Sequence, residues 1–128
     1  MIEVAAAIIE NEHGQILIAK RRKGKAQGGL WEFPGGKIEN NETVEECLKR
    51  ELLEELNIHI QPYKSFGVND HCYGSTHIRL YAYKATFVSG EIKLVDHDEY
   101  RWIHVNDLGD YRFADADVKF VEMLLVGQ

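Results

Sequence analysis

The sequence predicts an α/β fold, a mixed β-sheet with two helices packed on it. Three observations predict it. Apolar, β-branched and aromatic runs recur near the start and past the middle of the chain (IEVAAAIIE and THIRLYAYKATFV). Between them lies one uninterrupted helical segment, TVEECLKRELLEEL. Near the C-terminal end, Asp117 to Val126 return to helical spacing.

Taken in order, residues 2–10 and 15–20 read as strands joined by a turn from Asn11 to Gly14, a run of turn formers. A glycine-bearing loop follows from Gly24 to Gly29 and leads to Trp31-Glu32-Phe33, then to Pro34-Gly35-Gly36. Residues 43–56 form the first helix. Thr43 and Glu46 have capping-box spacing, and every residue between is a tolerable helix former. Pro62 lies beyond its end. Strands are expected at 64–69, at 76–88 and about Glu99–Ile103. The second helix runs from Asp117 to Val126, with Val118, Val121, Leu124 and Leu125 on one side and Asp115 or Asp117 as its cap.

At 128 residues the chain has the length of one domain, and no repeat or linker divides it, so 1–128 is read as a single domain. The apolar run at the N-terminus is short, carries Glu3 and Glu10 and has no basic leader. It reads as a buried strand and not as a signal peptide or membrane span. Two cysteines, Cys47 and Cys72, without a Cys-x-x-Cys, argue against a disulfide framework or a cysteine zinc site and fit a reducing cytoplasm. A net charge of −6 argues against a nucleic-acid polymer as partner. The one basic cluster, Lys20-Arg21-Arg22-Lys23 with Lys25, suits a few phosphates of a small nucleotide, or simply a solvated turn. There is no P-loop and no Gly-x-Gly-x-x-Gly, and the six histidines lack His-x-x-x-His spacing.

The first helix carries the chemistry. Six glutamates lie between residues 42 and 55. Val44, Leu48, Leu52 and Leu56 form its apolar stripe, and Glu51, Glu54 and Glu55 fall in an arc of roughly 100° along one flank. Their like charges repel at three- and four-residue spacing, and burial at the core boundary adds desolvation. A compensating cation resolves the conflict. An all-oxygen donor set suits Mg²⁺, with Mn²⁺ as a substitute, better than zinc. Arg50 stands beside this face, able to orient a carboxylate through its fork.

From Gly36 to Ile58 the run GKIENNETVEECLKRELLEELNI resembles the signature of Nudix hydrolases, with Gly36, Glu42, Arg50, Glu51, Leu52, Glu54, Glu55 and Ile58 in register. Asn57 stands where the pattern has Gly, and Asn is the next-best residue for a left-handed helix end. LWEFPGGKIE before this box resembles the MutT-type branch, which hydrolyses nucleoside triphosphates, and FADAD at 113–117 resembles that branch's base-reading segment. The resemblance implies a Nudix-type α/β/α sandwich with a carboxylate-rich helix. It implies a metal held by Glu51, Glu54, Glu55 and the carbonyl of Gly36, with Glu51 also accepting the proton of the attacking water. Glu54 is counted with the catalytic residues, and Arg50 holds a catalytic carboxylate. Glu99, opposite the box, is a further candidate ligand or base. Lys37, Arg21 and Lys20 are expected at the phosphates, Gly35 at a close backbone approach, and Phe33, Tyr81 and Asp117 at the base.

The expected reaction is hydrolysis of a nucleoside triphosphate to the monophosphate and pyrophosphate, in nucleotide-pool sanitation or balance. Read as an ionised acceptor, Asp117 favours cytosine over 8-oxo-guanine; as a simple helix cap it reads no base. The alternatives are another Nudix substrate, such as a dinucleoside polyphosphate or ADP-ribose, and a nucleotide-binding module without turnover. Such a module is expected to have lost one of Glu51, Glu54 and Glu55, and all three are present.

Overall fold

The computed structural model describes residues 1–127, and in it the elements follow the order β1 (Ile2–Glu10), β2 (Ile16–Arg21), β3 (Trp31–Glu32), β4 (Gly35–Lys37), α1 (Val44–Leu56), β5 (His59–Tyr73), β6 (Thr76–Ser89), β7 (His97–Ile103), a 3₁₀ helix (Val105–Asp110) and α2 (Asp115–Val126). β1 and β6 run parallel, and the remaining pairings are antiparallel. β1 and β2 share only the step Glu10↔Ile16. Beyond it β1 takes β4 as its neighbour, while β2 takes β3 and β7. The sheet therefore opens into two arms, and the glycine-rich turn sits where they part.

Alternation in β1 builds two cores. Ala5, Ala7 and Ile9 pack with Leu48, Leu52 and Leu56 of α1. Ala6 and Ile8 pack with Phe120, Val121 and Leu124 of α2. One strand buried on both faces between two helices is the α/β/α sandwich that the resemblance implied.

Several boundaries move. β5 extends over 59–73, well beyond the expected 64–69, and admits Pro62 because the register breaks between Pro62 and Lys64. A bulge is where a strand tolerates a residue without an N–H. β7 begins at His97 and not at Glu99. α2 begins at Asp115, and its N-cap is Ala114 with no side-chain cap, so neither aspartate caps it. No helix among the described residues is long and apolar enough to cross a membrane.

Candidate active site

The ends of α1 are locally determined. Thr43 accepts the amide of Glu46 at 3.1 Å, and Glu46 accepts the amide of Thr43 at 2.9 Å, closing the capping box. Asn57 adopts φ 60° and ψ 34°, the left-handed end that its residue type allows, and its side-chain amide donates to the carbonyl of Glu91. With both ends set, the acidic flank has a defined direction.

Arg50 organises that flank. Its Nε and Nη2 bind both oxygens of Glu42 at 2.7 and 3.0 Å, while Nη1 reaches Glu51 at 2.8 Å and Glu54 at 3.3 Å. Nη2 also donates to the carbonyl of Lys37. The fork grips Glu42 and steadies the other two. Its hydrogen bonds hold the Glu42 carboxyl down to about 2, with the amide of Glu39 helping. Glu51 lies against Gly36 so closely that a Cβ on that glycine would fall 2.3 Å from its carboxyl carbon. A Cβ on Gly35 would fall 1.8 Å from the carbonyl oxygen of Ala5. Both positions thus require glycine because of close approach within the protein, to Ala5 and to Glu51.

Glu55 differs from its neighbours. It is half-buried, and among the described residues no cation makes an ion pair with it. Burial raises its carboxyl above the usual range, and the charge of Glu51 raises it further. A partly desolvated carboxylate beside a second one, both lining a cleft, is a donor set that a hard cation would satisfy. Glu54 instead points outward, its side chain 60% exposed, and does not line the cleft. Among the described residues no three acidic, histidine or cysteine side chains are already drawn together as a ligand set. Arg50 accounts for this at Glu51 and Glu54, whose carboxylates it holds.

The cleft has a volume of about 800 Å³ and joins Glu51, Glu55, Gly36 and Lys37 to Phe33, Tyr73 and Asp117. Its far end is built by chain pairing. Trp31 bonds the carbonyl of Arg112 and the amide of Ala114, which brings the start of α2 against β3. Phe33 then stacks on Phe113 at 5.1 Å, and its amide donates to Oδ2 of Asp117 at 2.9 Å. Asp117 is buried, and that burial, with the charge of Glu32, holds its carboxyl well above the usual range. Both effects favour the protonated form, in which a carboxyl donates as well as accepts, whereas the expectation of a cytosine preference took Asp117 as an ionised acceptor. Tyr73 accepts the amide of Ala116 through its phenol and forms part of the same wall.

Besides Glu54, three expected site residues lie outside the cleft. Lys20 is paired with Trp31 and Glu99 in the sheet, and its ammonium stands over the Trp31 ring at 5.8 Å. Glu99 shares that face and binds Arg101 at 2.7 Å; it is in β7 and does not line the cleft. Strand alternation turns Lys20 to the face opposite Arg21, and Glu99, its pairing partner, lies on the same side. Tyr81 donates to Glu3 at 2.6 Å, also away from the cleft. Arg21, one residue from Lys20, does line it.

The cleft also holds Glu32, Asp96 and His97, which the sequence reading passed over. Asp96 pairs with Lys25 and with Arg22, tying the 22–30 loop to the start of β7. Local sequence carries no signal for these three, because their partners are 11 to 74 residues away, from Arg21–Glu32 to Arg22–Asp96.

Comparison with known proteins bears on this geometry. The profile of the NUDIX domain matches residues 5–123. The chain is 35% identical over 125 residues to the CTP pyrophosphohydrolase of Escherichia coli, covering 98% of this chain and 92% of that one. It is 35% identical to the 8-oxo-dGTP diphosphatase of Haemophilus influenzae, at the same coverage of 98% and 92%. Among solved structures, a MutT protein from Methanosarcina mazei superposes with a TM-score of 0.86 at 26% identity, covering 96% of this chain and 91% of that one. The E. coli ORF135 protein superposes with 0.86 at 35% identity, covering 98% and 89%.

Proposed function

The chain belongs to the NUDIX family and is a Nudix hydrolase, and from that premise we propose that it hydrolyses a nucleoside triphosphate to the monophosphate and pyrophosphate, in nucleotide-pool sanitation or balance. The observation that carries this reading is the continuity of one cleft from Glu51 and Glu55 to Phe33 and Asp117. Its volume of about 800 Å³ is that of a small-molecule site, with acid at one end and a polar, aromatic wall at the other. Relatives named for CTP and for 8-oxo-dGTP support a nucleotide substrate.

Nudix hydrolases generally use a divalent metal, and here Glu51, Glu55 and the Gly36 carbonyl, with Glu54 at the rim, would hold Mg²⁺, or Mn²⁺ in its place. Such an ion neutralises phosphate oxygens and makes bound water more acidic. The chain's own residues divide the remaining tasks. Lys37 and Arg21 bind phosphate oxygens, and Gly35 and Gly36 let the backbone approach them. Arg50 keeps Glu51 directed at the cleft. Glu51 accepts the proton of the attacking water as its oxygen bonds to phosphorus and the α–β anhydride bond breaks.

At the base, a protonated Asp117 offers one donor and one acceptor. That pair fits cytosine, with its N3 acceptor and N4 donor, and it fits 8-oxo-guanine, with its O6 acceptor and N7–H. We read residues 1–128 as one catalytic domain acting in the cytoplasm on a small nucleotide, with no nucleic-acid polymer or membrane as partner. The test is a panel of ribo- and deoxynucleoside triphosphates assayed with Mg²⁺ and with Mn²⁺. Pyrophosphate release from cytosine or 8-oxo-guanine triphosphates is the expected result; orthophosphate release, or turnover of ADP-ribose alone, overturns the assignment.

A further inference from the structure

Strand β7 pairs with β2 in unbroken register from Ile103↔Ile16 to Glu99↔Lys20, and the register then shifts, so that Arg21 faces His97 and not Asp98. The extra residue is a bulge, a device that re-aims a side chain. It turns the His97 imidazole inward, leaving its side chain only 4% exposed. Nε2 lies 2.8 Å from Oε2 of Glu32. Oε1 of Glu32 accepts Nη1 of Arg21 at 2.7 Å, and Nε of Arg21 donates to the carbonyl of Ala26 at 2.8 Å.

Since a carboxylate only accepts, Nε2 is the nitrogen that carries hydrogen. Nδ1 is buried and has no hydrogen-bond partner among the described residues. An apolar side chain would fill this space without that cost. The imidazole is accounted for by its one directed bond. Glu32 has each oxygen engaged, one by His97 and one by Arg21, so its carboxylate cannot turn. Arg21 is in turn held at Nε and Nη1, while Nη2 makes no hydrogen bond among the described residues. Arg21, Glu32 and His97 all line the cleft.

We propose that His97 is a positioning residue: through Glu32 it holds Arg21 so that the remaining Nη2 donor is presented, ready oriented, to an anionic oxygen of the nucleotide. This rests on the reading of the cleft as a nucleoside triphosphate site. Pre-setting the donor lowers the ordering cost of binding, so the effect belongs in KM more than in kcat.

The experiment compares wild type, His97→Phe, His97→Gln, Arg21→Ala and the His97→Phe/Arg21→Ala pair, using whichever of CTP and 8-oxo-dGTP the wild type turns over with Mg²⁺. His97→Phe is expected to raise KM about tenfold with kcat within about threefold. His97→Gln, whose amide reaches the same carboxylate, is expected to recover most of the loss. In the Arg21→Ala background His97→Phe adds nothing further, because the residue it acts through is gone. An unchanged KM in His97→Phe, a Gln variant as impaired as Phe, or multiplying effects in the pair each overturn the proposal. A second arm needs no turnover: ¹⁵N relaxation at Nε of Arg21, assigned with Arg21→Lys, should report an ordered side chain in wild type and His97→Gln and a mobile one in His97→Phe. Equal order in all three also overturns it. If His97→Phe does not fold, Glu32→Ala takes its place in both arms. A wild type that hydrolyses no triphosphate refutes the functional reading, and the relaxation arm then decides the positioning by itself.

Discussion

The backbone N–H of Phe33 donates to the buried Oδ2 of Asp117 at 2.9 Å across 84 residues of sequence. Asp117 stands in the first turn of α2, yet its carboxyl is spent on the strand that leads into the glycine turn and not on its own helix. One hydrogen bond thus links this wall of the cleft to the segment that carries Gly35 and Gly36.

That burial has a sign in pH. The folded chain holds the Asp117 proton above the usual carboxyl value of 3.8, while the unfolded chain releases it near that value. Its contribution to stability is full below about pH 4 and is lost as pH rises through the folded value. Asp117→Asn keeps an acceptor for the Phe33 amide and removes the titration. The stability of the variant relative to wild type should therefore rise between acid and neutral pH. Urea unfolding at several pH values measures it, and a difference independent of pH contradicts the assignment.

The same proton bears on the base. Asn has the donor and acceptor of a protonated Asp, so Asp117→Asn should change the cytosine to 8-oxo-guanine ratio of kcat/KM by less than about threefold, or ~0.6 kcal/mol. Asp117→Ala should lower kcat/KM for the preferred base by about 1–3 kcal/mol equivalent, the cost of a lost buried partner. A tenfold swing towards 8-oxo-guanine in the Asn variant would instead show an ionised acceptor in the wild type.

Glu55→Gln relieves the repulsion from Glu51 and the cost of a half-buried charge, so its thermal midpoint should equal or exceed that of wild type. Turnover should fall by a hundredfold or more in this variant and in Glu54→Gln, about 2.7 kcal/mol of barrier. Either variant within about tenfold of wild type would remove that residue from the metal site.

Mg²⁺ should raise the melting temperature of the wild type by mass action on the folded state, and much less that of a Glu51/Glu54/Glu55 triple Gln variant. Calorimetry with and without the ion gives both shifts. Equal shifts would place the ion elsewhere.

Burial, with the charge of Glu42 adding to it, pushes the Cys47 thiol up to about 12, whereas Cys72 is exposed. Iodoacetamide near neutral pH should label Cys72 alone in the folded protein and both thiols in urea. Mass spectrometry of the peptides identifies the labelled site.

The sequence by itself determined the helix of glutamates and the turn before it. The capping box, the left-handed Asn57 and the two glycines act within a few residues, so their signals are local and readable. The short, unbroken apolar run of β1 likewise announced a buried strand. What tertiary structure decided was which neighbour of each strand pair faces the cleft: Arg21 and not Lys20, His97 and not Glu99. In a strand one residue of register exchanges the faces, and the bulge between Lys20 and Arg21 exists only once β2 and β7 are paired. The engagement of Asp117 with Phe33 has the same origin. Whether an aspartate in a first turn caps its helix or binds a distant amide depends on what is packed beside it, and no local pattern encodes that neighbour.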